Sequence, residues 1–374
     1  MRLPVPFNWG PVTFLVVYHL ALLISLPFYF YYTPFPLGLT ITAAVLLYIT
    51  GLSITGGYHR YYAHHSYRTN SFVEAVLLFF GAMTAQGSAL RWSFDHRLHH
   101  AHVDTDNDPY SIKKGFWYAH CLWIMEKPRK IEPKLVSDLM KNKLVMFQHN
   151  YYKPLMIGTN AIVVLLFGWI FSDFLGALLL VWGLRMLALH HFTWFINSLA
   201  HMWGDKPFCQ ELSAVDNYFL SILTFGEGYH NYHHTFANDY RNGICWFHYD
   251  PTKWLIWTLN KLGLAENLRR VDAITIQKRI VIESKSVLLE QIKKTCTEKK
   301  DELEQLVQEM SDQIVIKIAQ FSKLREEYLH NMGEQPREMI KEMRRELKLL
   351  KKSLRRDWRE WMTLSKNIMK LETA

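Results

Sequence analysis

Paired cysteines, a cleavable leader and, over four long stretches, charge are missing from this sequence, and each absence excludes something. The four cysteines, Cys121, Cys209, Cys245 and Cys296, stand apart with no CxxC spacing, so neither a disulfide framework nor a cysteine zinc site is expected. Beyond Arg2 the opening residues carry no basic stretch and no small-x-small cleavage motif, which argues against a signal peptide. Formal charge is missing from residues 11–32 and 37–58, each long enough to cross a hydrocarbon core of about 30 Å. It is missing again from 155–171, and 174–199 is interrupted only by Arg185 and the pair His190–His191. Four retained membrane helices are therefore expected. Residues 72–90, with Glu74 near the start and Gln86, Gly87 and Ser88 near the end, read as a helix lying at the membrane surface.

Lysine and arginine are also missing from the two hairpin tips, residues 32–36 and 172–173, while the other connections and everything after His201 are basic. By the positive-inside rule the tips face out, and both termini face the cytoplasm. The formal net charge of +9 is thereby explained by basic loops near anionic lipid, and nucleic acid is not needed as a partner.

Histidine is what the chain has in plenty. In Glu227-Gly228-Tyr229-His230-Asn231-Tyr232-His233-His234 three imidazoles sit at i, i+3 and i+4, on one helical face. The pattern repeats at His96, His99 and His100, with a looser pair at His59 and His64. The latter two are five apart, so an ideal α-helix does not stack them, and a helix end or bend between them is expected. His201 lies at the cytoplasmic end of the fourth span, four residues after Asn197 on one helical stripe. His190, about 16 Å deeper at 1.5 Å per residue, is expected to be a buried hydrogen-bonding residue. With the span count even between clusters, all nine imidazoles fall at one membrane face, where they can hold two metals. Zinc, with four ligands, leaves such a set unexplained, whereas imidazole also suits iron and copper. A site of that kind above apolar helices suits the oxidation of a long acyl chain.

Several further expectations concern supporting residues. Asp95, just before the second box, can accept a ligand histidine's outer N–H or cap a helix. Residues 101–110 read as a structural turn, lacking the Gly and terminal Glu of a calcium loop. Lys127, Arg129, Lys130 and Lys134 either present charge to an anionic head group or snorkel at the lipid interface. Asp250-Pro251 opens a helix running to Lys261. After residue 271 the composition changes: apolar residues recur every three or four positions over 303–328 and 339–361, broken at Gly333-Glu334-Gln335-Pro336. That pattern reads as an antiparallel helical hairpin or an oligomerising coiled coil.

The three boxes, with Gly226-Glu227-Gly228-Tyr229-His230-Asn231-Tyr232-His233-His234-Thr235-Phe236, Asn107-Asp108-Pro109-Tyr110 and the stretch Asn197 to Pro207, resemble the membrane fatty acyl desaturases, in particular the stearoyl-CoA (delta-9) branch. The resemblance implies an all-α integral membrane protein: a desaturase domain over 1–271 with four spans and a cytoplasmic helical cap, followed by the charged extension 272–374. It implies two iron ions held by His59, His64, His96, His99, His100, His201, His230, His233 and His234, with Asn197 binding one through a water. Gln86, Trp92, Thr193 and Trp194 match positions that shape the kinked acyl tunnel. The implied reaction is oxygen-dependent formation of a cis double bond in a long-chain acyl-CoA. Electrons would come from a separate protein of ferredoxin, rubredoxin or cytochrome b5 type, since the His-Pro-Gly-Gly signature of a fused cytochrome is absent. The implied membrane is a bacterial inner membrane or the endoplasmic reticulum. Two positions depart from relatives that use coenzyme A esters: Phe94 replaces an Arg before Asp95, and Gly87 replaces an Asn after Gln86. An acyl-lipid substrate is therefore the alternative. A lipid hydroxylase of the same di-iron class and a non-enzymatic metal-binding membrane protein complete the set of readings.

Overall fold

A computed structural model describes residues 7–295, 299–331 and 336–371, which are helical except for loops and one two-stranded ladder pairing Arg68–Thr69 with Ala265–Glu266. Contacts divide the chain into two units. One holds the residues up to 206 together with 211–270; the other holds 207–210 and everything from 271 onward. Cys296 and the break at 333–335 lie outside the described residues, and Cys121 and Cys245 are free thiols.

The first unit contains four helices long and apolar enough to cross a membrane: Trp9–Tyr32, Leu37–Ala63, Tyr152–Ile170 and Phe174–His201. Their outer faces leave Leu23, Phe28, Ile157, Ile162 and Trp169 exposed, a surface that is stable against lipid and costly in water. Their inner faces bury Leu22, Leu39, Leu180 and Val181 in a common core. The two hairpin tips are tied together where Tyr29 donates to Asp173 at 2.5 Å, and Asp173 also caps the fourth span through Gly176 N at 2.7 Å.

Two spans change their winding where they approach the histidines. The second is α-helical over Leu37–Leu52 and continues as a π-helix over Ser53–Ala63. In that winding the i,i+5 positions stack, and His64 N donates to His59 O at 3.1 Å. The helix ends at Ala63, between the two histidines, as one of the expected alternatives has it, and the five-residue spacing is the π repeat. The fourth span is α-helical over Arg185–Asn197 and ends in a 3₁₀ turn, Leu199–His201. The stripe expected to join Asn197 and His201 therefore breaks between them.

The surface helix is shorter than expected. It covers Ser71–Ala82, begins on an Asn70 side chain that accepts Val73 N at 3.0 Å, and at 12 residues is too short to cross a bilayer. Ala85 and Gly87 adopt positive φ, which ends helical winding. Leu90 belongs to the next helix, Ala89–His102, which Ser88 caps by accepting Arg91 N at 3.2 Å. The helix expected after Asp250 runs over Pro251–Lys261, with the Asp250 carboxylate accepting Lys253 N.

The second unit adds a helix to the expected pair. Three helices pack together, Ala273–Lys293, Lys300–Asn331 and Arg337–Ile368. Lys285 pairs with Asp312, Lys317 with Asp357, and Trp361 Nε1 donates to Ser284, so the chain runs up, down and up. Val281, Leu288 and Ile292 of the first helix share one core with Ile314, Ile318, Leu354 and Trp361.

Candidate metal centre

Four elements deliver the nine histidines. The π-helical end of the second span supplies His59 and His64, the helix Ala89–His102 supplies His96, His99 and His100, the 3₁₀ turn supplies His201, and the helix His230–Thr235 supplies the rest. The short third-box helix is placed by a tight loop. At Gly226 (φ 98°) a Cβ would lie 2.8 Å from the Asp250 Cα, and at Gly228 it would lie 2.3 Å from Ser221 N. Only glycine lets the loop approach so closely.

The histidines sort into two groups, His59, His64, His96, His100 and His233 in one and His99, His201, His230 and His234 in the other. Within each group the ligand atoms lie within 4.8 Å of one another. Each HxxHH motif is split between the groups: the second box sends His96 and His100 to one and His99 to the other, and the third box sends His233 to the first and His230 and His234 to the second. Facing Nε2 atoms are 2.8 Å apart for His64 and His96, 3.0 Å for His59 and His233, and 3.1 Å for His201 and His230. A ring nitrogen about 2.0–2.1 Å from a metal puts adjacent ligands at right angles about 3 Å apart.

The outer nitrogens show why a cation fits. His99 Nδ1 faces Asp108 at 2.9 Å, His59 Nδ1 faces Glu227 at 3.0 Å, and His201 Nδ1 faces Ser213 Oγ at 2.7 Å. Ser213 in turn donates to Asp104 through both its hydroxyl and its backbone N–H. A carboxylate, or a hydroxyl committed to one, accepts the Nδ1–H, so the lone pair is at Nε2 and points inward. Burial first, and the surrounding imidazoles second, hold His64, His96, His100, His230, His233 and His234 well below the ordinary value near 6.5. Neutral rings with converging lone pairs repel one another unless a cation lies between them.

A third layer fixes the carboxylates. The Arg60 guanidinium, 1 % exposed, donates to Glu227 at 2.9 Å, to Asp250 at 3.0 Å and to the Tyr240 carbonyl at 2.7 Å. Burial pushes the Glu227 carboxyl up, but His59 and Arg60 together bring it below the usual range.

This unit holds a cavity of about 770 Å³. Gln86, Trp92, Thr193, Trp194 and Asn197 all line it, and it reaches His59 and His96. Exposed Lys127, Arg129 and Lys153, with half-buried Arg91, mark its mouth. Its volume is in the range of small-molecule sites, about 300–1,000 Å³. His190 is buried as expected, between Tyr18 OH at 3.0 Å and the Thr84 carbonyl at 2.8 Å.

Asp95 does not meet its expectation. Its carboxylate takes Arg91 in a two-point pair at 2.7 and 2.9 Å, one turn earlier on the same helix, and among the described residues it accepts no ligand N–H. The residues that do so, Asp108, Glu227 and the Asp104–Ser213 pair, were passed over. Asp104 and Asp108 lie in the stretch read as a plain turn, and Glu227 stands three residues before a box whose histidines drew the attention.

Comparison with known proteins places this geometry. The family description "Fatty acid desaturase" matches residues 33–267. The chain is 42 % identical over 277 residues to a probable acyl-CoA desaturase of Schizosaccharomyces pombe, covering 72 % of this chain and 58 % of that protein. It is 38 % identical over 236 residues to acyl-CoA desaturase 1 of Saccharomyces cerevisiae, covering 62 % and 46 % respectively. Against the sn-2 palmitoyl-lipid 9-desaturase of Nostoc sp. it is 36 % identical over 267 residues, covering 70 % of this chain and 90 % of that one. The chain thus spans about half the length of the first two relatives.

Proposed function

The chain belongs to the fatty acid desaturase family, and from that premise we propose that it introduces a cis double bond, at the delta-9 position, into a long-chain saturated acyl-CoA. The overall change removes two hydrogens from adjacent carbons; dioxygen takes four electrons, two from the substrate and two from a redox protein, and leaves as two waters. The observation that carries this reading is the meeting of two inward-facing imidazole groups with the inner end of a 770 Å³ cavity.

Nine imidazoles in groups of five and four suit two iron ions, which would supply dioxygen chemistry able to break an unactivated C–H bond. The protein's own contribution is positional. Asp108, Glu227 and Ser213 keep the outer protons at Nδ1 and the ring planes fixed. Trp92 and Trp194 wall the cavity beside His59 and His96, holding the acyl chain and displacing water. Asn197 points a polar group at the same space and is the seat of a bound water in this reading.

At the mouth, Arg91, Lys127, Arg129 and Lys153 supply positive charge for a phosphate-bearing head group. Arg91 thereby restores the charge that Phe94 lacks. The same departures, Phe94 and Gly87, favour an acyl-lipid as the second reading, and the Nostoc relative is named for such a substrate. In this reading the histidines and both termini are cytoplasmic, which the basic loops support.

The test is expression in a desaturase-deficient host with fatty-acid profiling, beside His233→Ala. A new monounsaturated acid from the wild type alone is expected. A hydroxy acid assigns a hydroxylase, and equal profiles from both proteins overturn the reading. Assay of purified protein with stearoyl-CoA and with a stearoyl phospholipid separates the two substrates.

A further inference from the structure

The C-terminal unit carries a surface that none of the chemistry above uses. All twelve lysines and arginines between residues 337 and 370 are exposed. At 100° per residue they fall within one arc of about 140°, spread over a helix of about 48 Å. The buried residues Leu354, Trp361 and Ile368 lie on the opposite side, and every carboxylate of the helix lies at or beyond the edge of the arc. Among the described residues, Arg344, Lys348, Lys351, Lys352, Arg355 and Arg359 pair with no carboxylate; the pairs that the arc does form, Lys341–Glu338, Arg356–Asp357 and Arg356–Glu360, are loose at 3.7, 3.7 and 3.9 Å. The excess is specific to this element, since the helix Lys300–Asn331 has seven acidic and four basic residues.

Two features beyond charge narrow the partner. Met362 and Met369, both about half exposed, lie inside the basic arc. Beside it, a cleft of about 370 Å³ between the second and third helices is floored by Phe321, Tyr328 and Leu347 and rimmed by Arg325, Arg344, Lys348 and Lys351. A straight cationic front with apolar points and an aromatic-floored, cation-rimmed cleft complements a flat sheet of phosphates with hydrocarbon beneath. The unit is also covalently tied to a membrane-spanning one, which holds it at high effective concentration near lipid head groups.

We propose that this helix docks the C-terminal unit on a bilayer of anionic phospholipid, with one head group seated in the Arg325–Lys348 cleft. The proposal rests on the membrane anchorage of the first unit and not on desaturation, so it stands or falls apart from the reading above.

The full chain in nanodiscs of pure phosphatidylcholine, or with about 30 mol % phosphatidylserine, is treated with an uncharged amine-acetylating reagent, and the rate at each lysine is read by mass spectrometry. Lys348, Lys351 and Lys352 are expected to react at least about fivefold more slowly in the anionic discs, and Lys323, exposed on the second helix, at an unchanged rate. The protection should vanish at about 0.5 M salt, where the Debye length is only a few ångströms. It should weaken in the triple variant R344Q/R355Q/R359Q. Equal rates in the two disc types, equal slowing at Lys323, or full protection in the triple variant overturns the proposal. Protection by soluble polyglutamate in neutral discs, with none from phosphatidylserine, assigns the face to an acidic protein and overturns it as well.

Discussion

At the scale of single residues, the outer hydrogen bonds separate ligand support from substrate contact. Asp108, 1 % exposed, receives the His99 ring proton and also accepts Tyr110 N at 3.1 Å. Asp108→Asn keeps the shape but weakens the acceptor, and partners of this kind are worth about 10–100-fold in metal affinity or activity. Iron retained during graded chelation should fall by that factor. Asp95, paired with Arg91 at the cavity mouth, should behave differently. Asp95→Asn is expected to leave iron content unchanged and to alter KM for the head-group-bearing substrate more than kcat; loss of iron in this variant contradicts the placement.

At the scale of elements, the π-helical end of the second span and the third-box loop are locked by one side chain. Arg60 holds Glu227, Asp250 and Tyr240 O at once. Arg60→Leu leaves two buried carboxylates uncompensated and should cost about 3–5 kcal/mol, seen as a lower unfolding temperature and as poor yield in mild detergent. Because Glu227 also holds His59, iron content should fall with stability. The element order was readable from the sequence, whereas the winding was not. Hydrophobic runs located the spans to within a few residues, but no local signal separates a π-turn from an α-turn at Ser53–Ala63. Residues 101–110 form turns as expected, and the further role of Asp108 was not legible because it arises only when the loop folds back on His99, nine positions earlier. The first helix of the C-terminal unit was missed because its apolar residues make a stripe only against two partners.

For the whole molecule, pH dependence follows from the buried cluster. His64, His96, His100, His230, His233 and His234 are held below the ordinary value near 6.5 by burial first and neighbouring imidazoles second. In metal-free protein the unfolded chain takes up protons below about pH 6.5 that the folded cluster refuses, so the unfolded state binds more and stability rises with pH. Asp95 and Asp216, pushed up to about 6 and about 7 by burial, work in the opposite sense but are outnumbered by the lowered histidines, to which His120, lowered to about 4, also belongs. Chelator-treated protein should therefore unfold at a lower temperature at pH 5.5 than at pH 7.5, by roughly 2–4 °C for each kcal/mol lost. A flat or inverted profile means that the imidazoles are not buried and neutral together.

The sequence by itself determined the four spans and the clustering of nine imidazoles at one face, because each depends on spacing along a helix or on a long run without charge, while the positions lining the cavity came only from the family resemblance. The tertiary structure alone decided how the ligands divide: His99 parts from His96 and His100, and His233 from His230 and His234. It also decided which carboxylates orient the rings. Spacing shows which residues share a helical face, but membership of a metal group depends on which side chains from distant segments meet across it, and only the packed fold brings them together.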